Sequence, residues 1–228
     1  MRLSIIIPVL NEAAVLPGLL DHLAPLRACG AEVIVVDGGS EDGSQQIASR
    51  AGALLVHGER GRARQMNAGA SVAHGDALLF LHADTRLPLC AGCAIEAAIK
   101  LGGRADEYAW GHFDVRIDGC SFMLRVVASL MNWRSRLTGI ATGDQAMFVT
   151  RRAFEAVGGF PDQPLMEDIE MSKRLLTLSR PICLIERVVT SGRRWETYGV
   201  WRTIWLMWRL RWSYWRGVPA SELARSYR

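Results

Sequence analysis

The hydrophobic pattern runs in short apolar blocks separated by polar, glycine-rich turns. Leu3 to Ile7 is a continuous apolar run and predicts a strand covered on both faces, with Pro8 ending its pairing. A helix follows, roughly Glu12 to Cys29, capped by Asn11 and stopped by Gly30. Glu32 to Val36 predicts a second buried strand, then a polar turn, Asp37 to Ser44, and a helix over about Gln45 to Ala51. Ala53 to Val56 predicts a third strand. Arg60 to Gly69 enters a helix ending near Gly75, and Ala77 to Leu81 predicts a fourth strand bounded by Gly75 and Pro88. Strand and helix alternating at this pace predict an α/β fold with a Rossmann-like, mostly parallel, doubly wound central sheet flanked by helices.

The second half changes character. A helix over Leu89 to Leu101 is closed by Gly102 and Gly103. Trp110 to Ile117 alternates polar and apolar residues, as a half-exposed strand does. Phe122 to Trp133 predicts a helix, Thr142 to Val149 leads into a strand, and a short helix starts at Arg151. Pro164 to Leu176 predicts a helix with acids in its first turn, and Ile182 to Val189 a last strand. In the tail, Trp201, Trp205, Trp208, Trp212 and Trp215 fall within an arc of roughly 80° on a helix. Arg202, Arg209 and Arg216 flank that stripe on one side and Arg211 on the other. A Trp stripe bordered by Arg suits a lipid interface; core packing and a dimer seam are the alternatives.

Composition sharpens this. The chain has 228 residues and a net charge of only +4, which disfavours nucleic-acid binding. The basic character sits in the tail, where Arg193 to Arg228 holds eight Arg against Glu196 and Glu222. Cys29, Cys120 and Cys183 lie in apolar patterns and are expected to be small buried residues. Cys90 and Cys93 have C-x-x-C spacing but no second pair, so a reduced, cytoplasmic protein fits. Leu3 to Pro8 is too short for a leader segment, and no apolar run is long enough to span a bilayer.

The chemistry gathers at strand ends. In open α/β sheets ligands bind beyond the carboxyl ends of the strands, where Asn11, Asp37, His82 and Asp84 fall. His82 and Asp84, one residue apart on an extended segment, would face one site, and a carboxylate there can hold a divalent metal against phosphate. The turn Pro8-Val-Leu-Asn-Glu12 has no G-x-G-x-x-G, which disfavours a dinucleotide site.

Several motifs now occur in order: Ile5-Ile-Ile-Pro-Val-Leu-Asn-Glu12, Val36-Asp-Gly-Gly-Ser-Glu-Asp-Gly-Ser44, Arg64-Gln-Met-Asn-Ala-Gly69, Leu81-His-Ala-Asp-Thr85, and Gly158-Gly-Phe160 before Glu167-Asp168. In this the chain resembles the family-two glycosyltransferases, inverting enzymes of the GT-A fold, over about Leu3 to Arg180. It is most similar to a bacterial subgroup described as radical-SAM/selenodomain-associated transferases, with suggested links to arsenosugar or carotenoid glycosylation. The resemblance implies a nucleotide-sugar donor of the UDP or GDP type, an acceptor hydroxyl, and Mn²⁺ or Mg²⁺. It implies a GT-A domain over 1–190, with 1–88 binding the donor and 89–190 the acceptor, and a helical tail over 191–228.

Residue by residue, the resemblance puts Pro8, Val9 and Glu12 beside base and ribose. Asp37 would accept from a ring N–H of the base, or simply cap its turn. Arg64 and Asn67, at a helix start, would meet the diphosphate; Arg60 and Arg62 read as a solvated face. Asp84 would hold the metal. His82 stands where the family carries the first Asp of D-x-D, and is a second ligand candidate or a hydrogen-bonding group. Asp168 would be the general base, with Glu167 orienting its loop. Asp144 would lie near the acceptor. Ser191-Gly-Arg-Arg-Trp195 resembles the Q-x-x-R-W element of processive polymerases, placing Arg194 at the diphosphate and Trp195 at the acceptor. Ser191 in place of Gln argues against polymerisation. A nucleotidyltransferase and a non-catalytic sugar-nucleotide-binding or membrane-surface scaffold are the rival readings.

Overall fold

Residues 1–101 and 108–226 are described by a computed structural model, and in them the apolar runs of the first half form the expected strands. β1 (Leu3–Val9), β2 (Glu32–Asp37), β3 (Leu54–His57) and β4 (Ala77–Phe80) alternate with α1 (Leu16–Ala28), α2 (Ser44–Arg50) and α3 (Arg62–Val72). β1 pairs in parallel with β2 and β4, and β2 with β3. Successive β1 side chains feed opposite layers: Ile5, Ile7 and Val9 pack with α1, and Ile6 packs with α3. The α3 layer lies close to the sheet, because a Cβ on Gly69 would come within 2.4 Å of Ile6 Cγ2.

Two expectations at the first turn are corrected. Pro8 does not end β1; it stays in register with Val36. Its missing N–H falls on the side of Ile6, whose carbonyl accepts from Leu81, and β4 has already ended there. Asn11 does not cap a helix. It adopts φ +57°, accepts from Glu41 N at 2.9 Å and donates its own N–H to Ser40 Oγ. Glu12 N and Ala13 N bond to Ser44 and Asp42, so the turns after β1 and β2 are laced together. α1 then starts late, at Leu16, without a side-chain cap.

The second half adds β5 (Thr85–Arg86), α4 (Ala91–Leu101), β6 (Trp110–Asp118), α5 (Phe122–Thr138), β7 (Phe148–Thr150), α6 (Arg151–Ala156), α7 (Glu167–Leu176) and β8 (Ile182–Ser191). The eight described strands are ordered β3-β2-β1-β4-β7-β6-β8-β5. β6 and β8 are parallel, β7 is antiparallel to both its neighbours, and β5 is antiparallel to β8. The sheet is therefore mixed in its second half.

β6 is not half-exposed. Trp110 and His112 are fully buried, and only Arg116 and Asp118 of its residues are exposed. The polar side chains find partners inside: Trp110 Nε1 donates to Ser179 O, His112 Nδ1 lies 3.0 Å from Phe113 O, and Asp114 pairs with Arg136. Cys29 and Cys120 are exposed rather than buried, and Cys183 is half-buried. The expected helix stop at Gly102 and Gly103 lies outside the described residues.

The tail forms α8 (Arg193–Tyr198), α9 (Val200–Trp215) and α10 (Ala220–Ser226). Leu210 of α9 and Leu223 of α10 close a small third core with Met166 and Ile169 at the start of α7. The five Trp of the stripe are between 59% and 76% exposed, which excludes the core alternative for that face. No described helix is long and apolar enough to cross a membrane.

Candidate functional site

The carboxyl ends of β1, β2 and β4 form one rim, and β7 continues it. Asp37 ends β2. Its Oδ2 accepts from Gly39 N at 2.9 Å, Ser40 N at 3.0 Å and Gln45 Nε2 at 2.8 Å. Burial alone would push this carboxyl up; the donors of Ser40, Gly39 and Gln45 outweigh it and hold Asp37 below its ordinary value. Its Oδ1 is buried with no hydrogen-bond partner among the described residues. One oxygen caps the turn while the other is an orphan acceptor, so the two sequence readings of Asp37 are compatible. Gln65 of α3 ties the rim together by donating to Val9 O and Val36 O, each at 2.8 Å.

Beside Asp37 comes a pair of acids. Glu12 is raised above its ordinary value by burial and by the charge of Asp84, against the pull of Arg193 and Arg62. Arg193 Nη2 is 4.0 Å from Glu12 Oε2. His82 and Asp84 do not share an extended segment. The chain turns after β4, with Thr85 N donating to His82 O at 3.1 Å. Asp84 lies near enough to Glu12 for its charge to be felt there, and His82 Nδ1 lies 3.3 Å from Asp144 Oδ1. The imidazole rests on Gly143, where a Cβ would sit 2.4 Å from ring atoms. Burial opposes ionisation of Asp144, but the His82 bond and the charges of His82, Arg62 and Arg211 hold its carboxyl below the ordinary value.

Gly143 opens a 3-10 turn, Gly143–Gln145, whose Thr142 and Gln145 form a capping box. Gly143 N donates to Asp168 Oδ2 at 2.9 Å, and Ile169 N to Asp168 Oδ1 at 2.8 Å. Glu167 is buried. Desolvation first, and the neighbouring Asp168 charge second, push it above the ordinary 4.5. Glu167 and Asp168 line a small cleft with Met66, Phe80, His82, Gly143, Met147 and Phe160. Among the described residues, three that are not glycine take a left-handed backbone: Asn11, Ala146 and Met166, at φ +57°, +47° and +63°. All three adjoin the rim, and such strain is stored where the surrounding structure fixes functional groups.

The structure thus brings together Pro8, Val9, Glu12, Asp37, His82, Asp84, Asp144, Glu167 and Asp168. Others have partners elsewhere. Arg64 pairs with Asp162 through two bonds and with Glu59. Asn67 spends its amide on Phe160, donating to its O and accepting from its N. Trp195 packs against the first core, and Arg193 approaches Glu12. Arg62, dismissed as a solvated face, acts electrostatically on Glu12, Asp144 and Glu167. Arg134 and Arg211 were not foreseen near Asp168; no local pattern signals a contact between α5, α7 and α9.

A divalent cation is compatible with this rim. Mg²⁺ and Mn²⁺ suit carboxylate oxygens, and Mg²⁺ commonly binds through one or two carboxylates, waters and substrate phosphates. The adjacent Asp84 and Glu12 offer that chemistry, although no group of three or more His, Cys, Asp or Glu among the described residues could hold a metal ion.

Comparison with known proteins accords with the geometry. A 91-residue stretch is 43% identical to a PGL/p-HBAD biosynthesis glycosyltransferase of Mycobacterium bovis, covering 37% of this chain and 36% of that protein. The chain therefore matches only about a third of that relative's length. S. aureus TarS 1-349 in complex with UDP-GlcNAc superposes with a TM-score of 0.66 at 18% identity, over 84% of this chain and 58% of that one. The mannosyltransferase PcManGT from Pyrobaculum calidifontis, in complex with GDP-Man and Mn²⁺, gives a TM-score of 0.62 at 24% identity, over 82% of this chain and 56% of that one. These likenesses establish the GT-A type of fold. The model of glycosyl transferase family 2 matches residues 4–154, more than half of the chain, which belongs to that family.

Proposed function

We propose that the protein transfers a sugar from a nucleoside diphosphate donor to an acceptor hydroxyl by single displacement, with inversion at the anomeric carbon. The observation that carries this is the order of groups along the rim. The orphan Oδ1 of Asp37 stands at one end, Glu12 and Asp84 follow, and Asp144 and Asp168 stand at the other. A base ring N–H donating to Asp37 Oδ1 sets the nucleotide in that direction. Its diphosphate then reaches Glu12 and Asp84, with Arg62 and Arg193 as cations at the same place. Residues 1–88 hold the donor in this reading, and 89–190 the acceptor.

At the far end Asp168 is the base. The acceptor oxygen attacks the anomeric carbon opposite the diphosphate, the glycosidic bond to phosphate breaks, and the hydroxyl proton passes to Asp168. Gly143 N and Ile169 N fix both carboxylate oxygens, so the base is oriented before substrate arrives. Glu167 packs beneath it in the cleft. His82 and Asp144 border the sugar, their contact holding the imidazole flat on Gly143. A divalent cation bound between Asp84 and the donor phosphates would neutralise charge on the leaving group.

The exposed Trp face of α9, bordered by Arg202, Arg209 and Arg216, is where the protein meets an anionic lipid surface, on the cytoplasmic side.

The test is calorimetric titration with UDP, GDP and dTDP, each with Mn²⁺ and with EDTA. One nucleotide should bind, with affinity falling by roughly 10- to 100-fold in Asp37→Asn, the worth of a hydrogen bond to a charged group. Asp84→Ala should abolish the metal dependence. Absence of binding by all three nucleotides overturns the donor assignment and favours a scaffold role.

A further inference from the structure

Two arginines converge behind Asp168 from elements distant in sequence. Arg134 comes from the C-terminal half of α5, and Arg211 from α9. Leu210, almost fully buried against Met166 and Ile169, pins α9 to the N-terminal end of α7 and fixes the helix turn that carries Arg211. Tyr214 adds a hydrogen bond to Glu170 one turn further on.

Both guanidinium groups are half-buried, and neither forms an ion pair among the described residues. Arg134 Nη1 donates to Ile140 O at 3.1 Å, while its Nε and Nη2 are buried without any partner. Buried donors are normally satisfied, and two cations near each other repel. Burial, then the charge of Arg211, depresses Arg134 to about 10, against the attraction of Asp168; it remains charged at neutral pH. Arg211 is likewise depressed by burial, and Asp168 and Asp144 oppose the shift. The carboxylates that attract the pair are thus the two at the acceptor end of the rim. The charges felt most at the donor end, at Glu12, are Asp84, Arg193, Arg62 and Asp42. A planar fork with two free N–H groups beside a second guanidinium matches a tetrahedral or planar oxyanion.

We propose that Arg134 and Arg211 form a seat for an anionic group of the acceptor, a phosphate or carboxylate carried close to the hydroxyl that Asp168 deprotonates. This rests on the reading of Asp168 as the acceptor-side base. It specifies the acceptor as an anion. Bound there, the anion supplies the direct ion-pair partner that neither arginine has among the described residues and the acceptors that Arg134 Nε and Nη2 lack. α9 joins this seat to the Trp face, since Arg211 stands between the buried Leu210 row and the exposed Trp stripe of one helix. The same phosphate chemistry occurs on a lipid and on a soluble metabolite, so the experiment separates the two.

Binding of dodecyl phosphate, kept below its micellar concentration, of glycerol phosphate, and of uncharged dodecyl maltoside is measured by calorimetry on the full chain. The proteins are wild type, Arg134→Gln, Arg211→Gln and, as a control, Arg125→Gln at an exposed position of α5. UDP and GDP are titrated into the same samples. A phosphate ligand should bind wild type and the control alike, and about tenfold or more weaker in either seat variant. Dodecyl phosphate exceeding glycerol phosphate by about tenfold, with no binding of the maltoside, identifies a lipid source; equal affinities identify a soluble one; both support the seat. If a Gln variant does not fold, Arg211→Lys keeps the charge and loses the fork, and the same fall is expected in weaker form. The proposal is overturned if no phosphate ligand binds, if the seat variants bind as wild type does, or if nucleotide affinity falls in parallel, which would give the seat to the donor. Phosphate binding that persists where no nucleotide binds would sink the donor reading and leave the seat standing.

Discussion

Gly143→Ala is the smallest change that tests how the site is built. Gly143 has no left-handed backbone requirement, so an alanine there meets only a steric problem. Its Cβ would lie 2.4 Å from Cε1 and Nε2 of His82, whereas ordinary carbon contacts start near 3.4 Å, so the ring or the turn must yield by about 1 Å. Neither is free to move. His82 Nδ1 is tied to Asp144, and Gly143 N is tied to Asp168. Overpacking of this kind costs about 1–3 kcal/mol, and at this chain length each kcal/mol lowers Tm by roughly 2–4 °C. A displacement of about 1 Å at the base is worth up to about 100-fold in rate. The assay is thermal melting together with nucleotide release from the donor that calorimetry identifies. Gly143→Ala should lower Tm modestly and the rate severely, while nucleotide affinity stays near wild type. His82→Ala removes the obstacle, so Gly143→Ala should add little instability in that background. A double-mutant cycle with zero coupling between the two positions would refute the reasoning.

Other consequences are direct. Glu167→Gln removes a buried carboxyl whose folded pKa lies above its unfolded value, and such a group loses stability as pH rises from about 4.5 through the folded value. The Gln variant should therefore match wild type in acid and melt higher at neutral pH; a Tm difference independent of pH would contradict the buried-acid account. Asn67→Ala breaks the clamp on Phe160 and should destabilise by roughly 1–3 kcal/mol in denaturant melts while leaving nucleotide affinity unchanged, contrary to a diphosphate role. Trp205→Ser with Trp208→Ser should weaken flotation with anionic vesicles without altering Tm, because both side chains are exposed. Retained flotation, or a change only in sedimentation mass, would point to a dimer seam instead.

Much of the donor half was readable because its chemistry is local. Strand, polar turn and helix follow each other within about ten residues, so Asp37 and Asp84 could be placed at strand ends from the apolar runs alone, and the crossover rule put those ends on one rim. The ordered motifs then implied the family. What the sequence could not supply was hydrogen bonding that returns from elsewhere. Arg64 and Asn67 sit at a helix start in sequence, but the Gly159–Phe160 loop and Asp162 claim them in space. Trp110 and His112 alternate like a surface strand, yet find internal acceptors.

The sequence by itself determined which segments bury, where the sheet presents its polar rim, and that the tail carries a Trp face with Arg beside it. Periodicity and turn chemistry act over a few residues, and those features need no more. Only the tertiary structure decided that His82 answers Asp144 rather than Asp84, that Gly143 must be small, and that Arg134 and Arg211 meet at Asp168. Those pairs are separated by tens of residues, and their side chains are aimed by the packing of α5, α7 and α9, which no local pattern encodes.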